Sequence, residues 1–591
     1  MSTHSAVDPA PVSASTLAAR RLTGLVQRNA TTIIVAAVVA ALVIPPVATV
    51  IYSGFVAGTG TNVWHGSRTL GHYRDVFAAG TGLKTIKNTF IFAALSSLLA
   101  VGIAAIVAFF VERTNAPFRR LVYFTVIVAL GVPIVVEAIG WILLLGPNSS
   151  FVNSVLQSIF GKGAPQVDVY GWTWMVFIQS TIVFPAAFLL VAPAFRFADP
   201  ALEQAAAVSG AGTLRTLRKV TLPLVRPSLL AAVLLSFIVG IESFEIPALI
   251  GTPAHINTLS TAIYFEVSNA VQPDFGSAAV YATLLMLCTI VGLYLYQRAT
   301  KRAHRFVTVT GKGYRPDRID LMKFRWPAAC ATLLVPLIIL APVFILLWAS
   351  FLRYYSAPSF HQVRSFTLVN YHDVLHSSTF LDAIKNTFML GIGAAVLVMA
   401  LGLVTAWSVL RRPSVLSRSV DQLGSLPLVV PGVVLSLAVL RVFINSPIPI
   451  YDTSWIILIA LVIHYLPWGL RFNHAGLITQ HRELEEAADV SGASRLRVFV
   501  RILVPLMRPM LFAGGLFVFM ATMRQLSLVI FLSGPNLNVV SSWIWAIWNN
   551  AALPQAATAA VVTIVPVLAI AALFYRLTGA GKDSSTSVGF R

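Results

Sequence analysis

Apolar runs of about 20 residues recur along the whole of this 591-residue chain. That recurrence limits the fold more than any other feature. A hydrocarbon core about 30 Å thick is crossed by about 20 residues of helix. Strands of a membrane barrel give shorter segments of alternating polarity. Composition agrees: 57% of residues are hydrophobic and 11% charged, against about 25% charged in soluble domains. A water-soluble globule of this size lacks the polar material to cover its surface. The expected fold class is all-α, a polytopic membrane protein.

The runs place twelve spans, at 31–55, 88–111, 121–146, 172–195, 227–251, 277–297, 327–352, 384–410, 420–445, 454–478, 509–533 and 556–577. An even number puts both termini on one side, and Lys and Arg decide which. Of 42 such residues, 32 fall in the tails and in alternate loops on one side. Eight lie in the opposite loops, and Arg441 and Arg524 fall inside spans. Both termini are therefore expected in the cytoplasm. The net charge of +20 reflects these loops and gives no reason to invoke nucleic acid. Residues 1–28 are rich in Ser, Ala and Pro and read as a disordered cytoplasmic tail. The run that follows is too long for a signal-peptide core. Cys288 and Cys330 sit in or beside apolar segments and read as packed thiols.

The chain repeats itself. LEQAAAVSGAGTLRTLRKVTLPLVRPSL at 202–229 returns 282 positions on as LEEAADVSGASRLRVFVRILVPLMRPML. Lys87-Asn88-Thr89-Phe90 returns as Lys385-Asn386-Thr387-Phe388, and Tyr73 with Asp75 as Tyr371 with Asp373, at an offset of 298. The difference of 16 belongs in the longer 147–171 loop. Two tandem six-helix halves follow, 29–297 and 327–578, joined by a basic cytoplasmic linker at 298–326 and ended by a cytoplasmic tail at 579–591. Six spans per half make the copies parallel, related by a pseudo-two-fold axis along the membrane normal.

The stronger repeat reads as a cytoplasmic hairpin between the fourth and fifth spans of each half. Asp199 suits a helix cap and Pro200 a first helical position. Glu203 sits in the first turn, and Ser209-Gly210 reads as a stop with Gly in the left-handed region. A second, basic helix through Arg215, Arg218 and Lys219 is expected next, with Pro223 and Pro227 turning the chain into the membrane. Glu485, Glu486, Ala487, Ala488, Gly492, Pro505 and Pro509 repeat the pattern. A single copy weighs evenly between an ordinary helical loop and a function. Two copies at matched positions suit a two-fold cytoplasmic partner.

Glu486-Ala487-Ala488 followed by Gly492 resembles the signature loop of ABC importer permeases. The first-half counterpart is Gln204-Ala205-Ala206 followed by Gly210, with Glu203 one position earlier. Gln204 departs from the pattern, which bears on whether both halves make the same charged contact. Gly240–Pro247 and Met523-Arg524-Gln525-Leu526-Ser527 resemble the fused two-half permeases of the ferric-iron, thiamine, 2-aminoethylphosphonate and polyamine group. Many relatives carry an acid where Gln525 stands. The resemblance implies two ATP-binding cassette subunits, expected as a homodimer, engaged by coupling helices around Gly210 and Gly492. It implies ATP and Mg bound by those partners, with no cofactor in this chain. It also implies an extracytoplasmic solute-binding protein, a place in the lipid bilayer of a bacterial inner membrane, and ferric iron as leading solute.

No phosphate loop exists: the three Gly-Lys pairs are followed by Gly163, Gly313 and Asp583, never Ser or Thr. No nucleophile–base constellation or metal cluster is expected, so the chain is not read as an enzyme. Two alternatives are a secondary transporter of major-facilitator type and a non-transporting scaffold. The duplicated hairpin disfavours the first, and ionisable residues in the spans disfavour the second. Glu242 and Glu245 lie in the expected fifth span and Arg524 in the eleventh. A charge at the bilayer centre costs about 2.5–3.5 kcal/mol, so these groups should face the interface between halves. Glu242 and Arg524 correspond at the offset of 282 and are expected to pair across the axis, with Glu245, Gln525 and Ser527 lining the same path.

Overall fold

The computed structural model describes residues 14–578, apart from 58–65, 79, 148–149, 162, 197, 199, 269–271, 304–318, 357, 412–413 and 535–536. The C-terminal tail, most of the linker and Asp199 fall outside the described residues, as do residues 1–13. Among the described residues the regular structure is helical, and strand pairing is limited to isolated bridges.

Nine helices among the described residues are long and apolar enough to cross a membrane. They are the spans expected as 1, 2, 4, 5, 6, 7, 8, 10 and 11. Span 1 belongs to a helix that begins at Ala14, so the second part of the expected disordered tail is helical. The twelfth expected span is the helix Leu553–Thr578. Spans 3 and 9 are broken: Arg119–Ala129 meets Ile134–Leu145 at 113°, and Val415–Val429 meets Gly432–Phe443 at 108°. The cause is proline. Pro133 and Pro431 have extended ψ values of 137° and 149°, and neither carries an N–H for the helix ladder. Val430, just before Pro431, is extended as well, as the ring demands.

Spans 5 and 11 also differ from expectation. Each begins earlier, because the basic segment is no separate helix. Leu217–Thr221 and Phe499–Leu503 form single π-turns that run straight into Leu222–Glu242 and Val504–Met523. Pro223 and Pro505 sit in the first turn after the π-turn, where a missing N–H is tolerated. Each span also stops early. Ser243 turns to ψ 130°, and the helix of span 11 ends at Met523. Gln525 and Ser527 thus lie on irregular backbone, while Glu245 sits on a short helical turn that runs into the π-turn Pro247–Gly251.

The first helix of each half packs on the other half. Span 1 lies against the broken span 9, and span 7 (Arg325–Ser350) against the broken span 3. At the second crossing a Cβ on Gly140 would come within 2.6 Å of Pro342, so only hydrogen fits there. At the first, Arg441 donates from Nε to Ser53 Oγ at 3.4 Å and lies 4.7 Å over the Phe275 ring. The 16 extra residues of the first half stand between spans 3 and 4, where Phe151–Phe160 forms a short helix. The linker rejoins the body as a strap. Ile319 N–H donates to Arg113 O at 2.9 Å, and Asn115 donates to Asp320 at 2.6 Å. The Met322 amide and the Asn115 side chain hold the Asp320 carboxyl below its ordinary range. Cys288 is half-buried, while Cys330 is exposed and not the packed thiol expected.

Candidate functional site

The duplicated hairpin has the same geometry in both halves. Pro200–Val208 and Glu483–Val490 are its short helices. Both end in a left-handed glycine, Gly210 at φ 76° and Gly492 at φ 77°. The chain reversal lets Ala211 N–H donate to Ala206 O at 2.9 Å and Ala493 N–H to Ala488 O at 3.0 Å, which satisfies carbonyls the helix end leaves open. Ser209 and Ser491 donate to Ala205 O and Ala487 O at 2.8 and 2.9 Å. The alanine motif thus supplies the acceptors of the cap.

One ion pair pins each hairpin to the body. Glu203 pairs with Arg113 at the end of span 2, and Glu485 with Arg411 at the end of span 8, the latter at 2.8 Å. The arginines correspond at offset 298 and the glutamates at 282. The second carboxylate oxygen differs: Glu203 accepts from Thr221 Oγ1 at 2.6 Å, and Glu485 from Trp407 Nε1 at 3.1 Å. Gln204 and Glu486 stand outside this joint. Both are exposed, and Glu486 pairs with Arg482 one turn back at 3.0 Å, where the first half has Pro200. The departure at Gln204 therefore leaves the anchoring carboxylate in place. Val208 and Val490 stand 90% and 91% exposed at the hairpin tips.

The weaker repeat holds the backbone that follows spans 5 and 11. Asn88 and Asn386 donate to Asn257 O and Asn538 O at 2.9 and 3.1 Å. Thr89 and Thr387 accept from the N–H groups of Leu259 and Val540, both at 2.9 Å. These bonds seat two short helices that sequence reading missed, Leu259–Ser268 and Val540–Asn549. Ser260 and Ser541 then donate to the carbonyls of Ser243 and Gln525 at 2.6 and 2.7 Å. They satisfy backbone freed where spans 5 and 11 stop, as low-dielectric surroundings require. Tyr264 meets Phe531 and Trp545 with ring centroids 6.0 and 6.1 Å apart. This aromatic seam closes the halves on each other. Tyr73 and Tyr371 serve packing: their rings lie 5.0 and 5.5 Å from Phe55 and Phe351, while Asp75 and Asp373 are exposed.

The expected pair of Glu242 with Arg524 does not form. Arg524 donates from Nη1 to Leu130 O at 2.5 Å, a carbonyl released by the break before Pro133. Its acidic neighbours are Glu137 and Glu245. Glu242 ends its helix half-buried. Glu245 is buried and its carboxylate meets the Ser527 backbone N–H across the halves. Gln525 donates to Tyr465 OH at 2.8 Å and lies 3.4 Å from His464 Nε2. Ser243 donates to Gln179 at 2.9 Å. Glu137, Gln179, His464 and Tyr465 were missed from sequence. The available signal was a polar or ionisable residue inside an apolar run.

The family model described as "Binding-protein-dependent transport system inner membrane component" matches residues 100–305 and 398–580. The ferric transport system permease protein FbpB of Actinobacillus pleuropneumoniae is 27% identical over 70% of this chain and 59% of its own length. The putative ferric transport system permease protein FbpB 1 of Haemophilus influenzae is 26% identical over 78% of this chain and 73% of its own. Among solved structures, a bacterial alginate ABC transporter in complex with an alginate pentasaccharide-bound periplasmic protein aligns over 44% of this chain at 18% identity and a TM-score of 0.34, covering 96% of the matched chain. The chain belongs to the family of binding-protein-dependent transport system inner membrane components and carries the family unit twice.

Proposed function

We propose that this chain supplies both pore-forming halves of an ATP-driven importer and carries ferric iron. The observation that carries the reading is the duplicated hairpin. Two valines stand almost fully exposed at equivalent tips, each on a helix fixed by an ion pair to a membrane span. Exposed apolar groups in matched pairs suit a two-fold partner, here two ATP-binding subunits on the cytoplasmic side. The excess of Lys and Arg supports that side. On the opposite face, exposed Asp75 and Asp373 on the helices Gly71–Ala78 and Val369–His376 support a reading in which this side receives an extracytoplasmic binding protein. ATP and Mg belong to the partner subunits. Iron is supported by the names of the two ferric permease relatives.

The test is iron uptake in cells lacking this chain, complemented with wild type or with Val208→Asp/Val490→Asp. Wild type should restore uptake of radiolabelled ferric iron and co-purify an ATPase. The double variant should reach the membrane, lose the ATPase and lose uptake at least tenfold. Restored uptake of an organic phosphonate, thiamine or a polyamine in place of iron would move the cargo and keep the class. Full uptake by the double variant would overturn the coupling reading.

A further inference from the structure

A groove of about 760 Å³ opens between span 2 (Thr81–Arg113) and span 4 (Trp172–Arg196). That volume lies within the range of about 300–1,000 Å³ that small-molecule sites occupy. Ile91, Leu95 and Leu99 line it from span 2, and Val176 and Phe177 from span 4. Leu95 and Leu99 are exposed, so this wall faces the surroundings of the helices and not the core. From Lys87 to Leu99 the groove follows span 2 for roughly 18 Å, at a rise of about 1.5 Å per residue. One leaflet, half of a hydrocarbon core about 30 Å thick, has nearly that depth. An apolar trough of this length suits a hydrocarbon chain laid along the helix.

The mouth of the groove is cationic. Lys87 and Trp172 line it, with the exposed Thr173 beside them. Lys84 lies one turn before Lys87, so two exposed ammonium groups share a helix face. Neither enters an ion pair among the described residues. Asp168, the acid nearest to Trp172 along the chain, accepts from the Tyr170 N–H at 2.9 Å. Trp and Lys at the end of a span are side chains that settle at headgroup level. The second half is built otherwise. Asp382 stands where the first half has Lys84, next to Lys385, and Ser454 stands for Trp172. Leu458 replaces Val176 and lies against Gly393, which replaces Leu95. A Cβ on that glycine would be 3.3 Å from Leu458 Cδ1. Another apolar groove, of about 490 Å³ between spans 8 and 11, has no charged residue in its lining. Of the two grooves, the one between spans 2 and 4 joins an apolar trough to a cationic mouth.

We propose that this groove is a binding site for one anionic phospholipid, with an acyl chain along Ile91, Leu95 and Leu99 and the phosphate at Lys84 and Lys87. Two ammonium groups favour a headgroup of net negative charge, as basic pockets between membrane helices do. A zwitterionic headgroup brings its own ammonium to the same place and loses much of that attraction. The groove also touches the backbone that follows span 5. Asn88 lines it and donates to Asn257 O at 2.9 Å, and Thr89 accepts from the Leu259 N–H at 2.9 Å. A lipid seated there packs on the residues that hold this segment, so its binding stabilises the folded chain. The site needs only the membrane-spanning unit and is independent of cargo and of ATPase partners.

The full chain is purified in neutral detergent, stripped of lipid and titrated with phosphatidylglycerol or phosphatidylcholine of the same acyl chains. Native mass spectrometry reads the bound lipid and thermal unfolding reads its effect. Wild type should retain one phosphatidylglycerol, prefer it over phosphatidylcholine by about tenfold, and unfold at a higher temperature in its presence. Lys84→Gln/Lys87→Gln should abolish most of that preference. Val176→Trp, which fills the trough, should weaken both lipids. Lys385→Gln, at the matched place in the second half, should bind as wild type does. The two lysines are exposed, so their substitution leaves the core untouched and carries the test if Val176→Trp does not fold. No preference in wild type, an unchanged preference in the lysine double variant, or an equal loss in Lys385→Gln overturns the site. Equal protection by glycerol phosphate, which has the anion without the chains, overturns the lipid as its occupant.

Discussion

The hairpins and the span ends sit on the same repeated backbone and have been treated differently. At the hairpins, left-handed glycines, capping serines, exposed valines and the glutamate of a pinning ion pair recur at the offset of 282, and the arginine of that pair at 298. At the span ends the backbone breaks recur, and Ser260 and Ser541 satisfy them alike. The side chains beyond diverge, with Glu242 against Arg524 and Glu245 against Ser527. A two-fold partner must find the same surface twice, so its sites stay alike. A small solute on the axis meets both halves at once and needs their sum. Duplication followed by divergence is then expected only where the ligand is single.

The largest effect should come from breaking the hairpin joints. The Arg113 side chain is 1% exposed and that of Arg411 18%. Removing one partner of a buried pair leaves the other charge uncompensated and costs about 3–5 kcal/mol. Arg113→Ala should approach that figure, and Arg411→Ala, with more solvent near it, about 1–3 kcal/mol. Thermal unfolding of the detergent-solubilised chain reads both. Arg113→Met/Glu203→Leu should recover much of the loss in stability. Equal losses in the two arginine variants would mean that the halves are anchored alike.

The glycines come next. Nothing lies within 4 Å of a Cβ built on Gly210 or Gly492. Alanine there meets only the left-handed backbone penalty, about 1–2 kcal/mol. With φ values of 76° and 77°, Gly210→Ala and Gly492→Ala should match within about 0.5 kcal/mol. A first hairpin clearly more tolerant than the second would restore the asymmetry that Gln204 suggested from sequence.

Much of the architecture was legible because apolar runs, basic loops and a long repeat each report on it independently. Nine of the expected spans, the two that are bent and the division into two halves needed no tertiary information. The breaks in spans 3 and 9 were also readable, from Val132-Pro133 and Val430-Pro431 at the offset of 298, but their apolar flanks masked them. The short helices Leu259–Ser268 and Val540–Asn549 were hidden for another reason. Their starts are set by Thr89 and Thr387, which lie far away in sequence. The same distance defeated the Glu242–Arg524 pairing. Correspondence between copies gives symmetry positions, not contacts, and Arg524 found a nearer acceptor in the carbonyl freed before Pro133.

The smallest effect should come from exchanging the auxiliary partner of one hairpin for that of the other. Glu203 takes its second bond from Thr221, and Glu485 from Trp407. The repeat aligns Phe109 with Trp407 and Thr221 with Leu503, so each half carries one donor and one apolar residue in opposite places. Thr221→Leu alone removes a hydrogen bond to a charged group, worth about 1.5–3 kcal/mol. Phe109→Trp adds an indole N–H from the side that serves Glu485. It must also keep the edge contact with Phe195, whose ring centroid lies 6.1 Å away. The double variant reproduces the second-half arrangement and should fall within about 1 kcal/mol of wild type, a coupling of the kind contacting residues show. Thermal unfolding of the two singles and the double gives that coupling directly. Additive losses would mean that the two hairpins reach the same ion pair through backbones that are not interchangeable, and the symmetry claimed for them would stop at the glycines and the arginines.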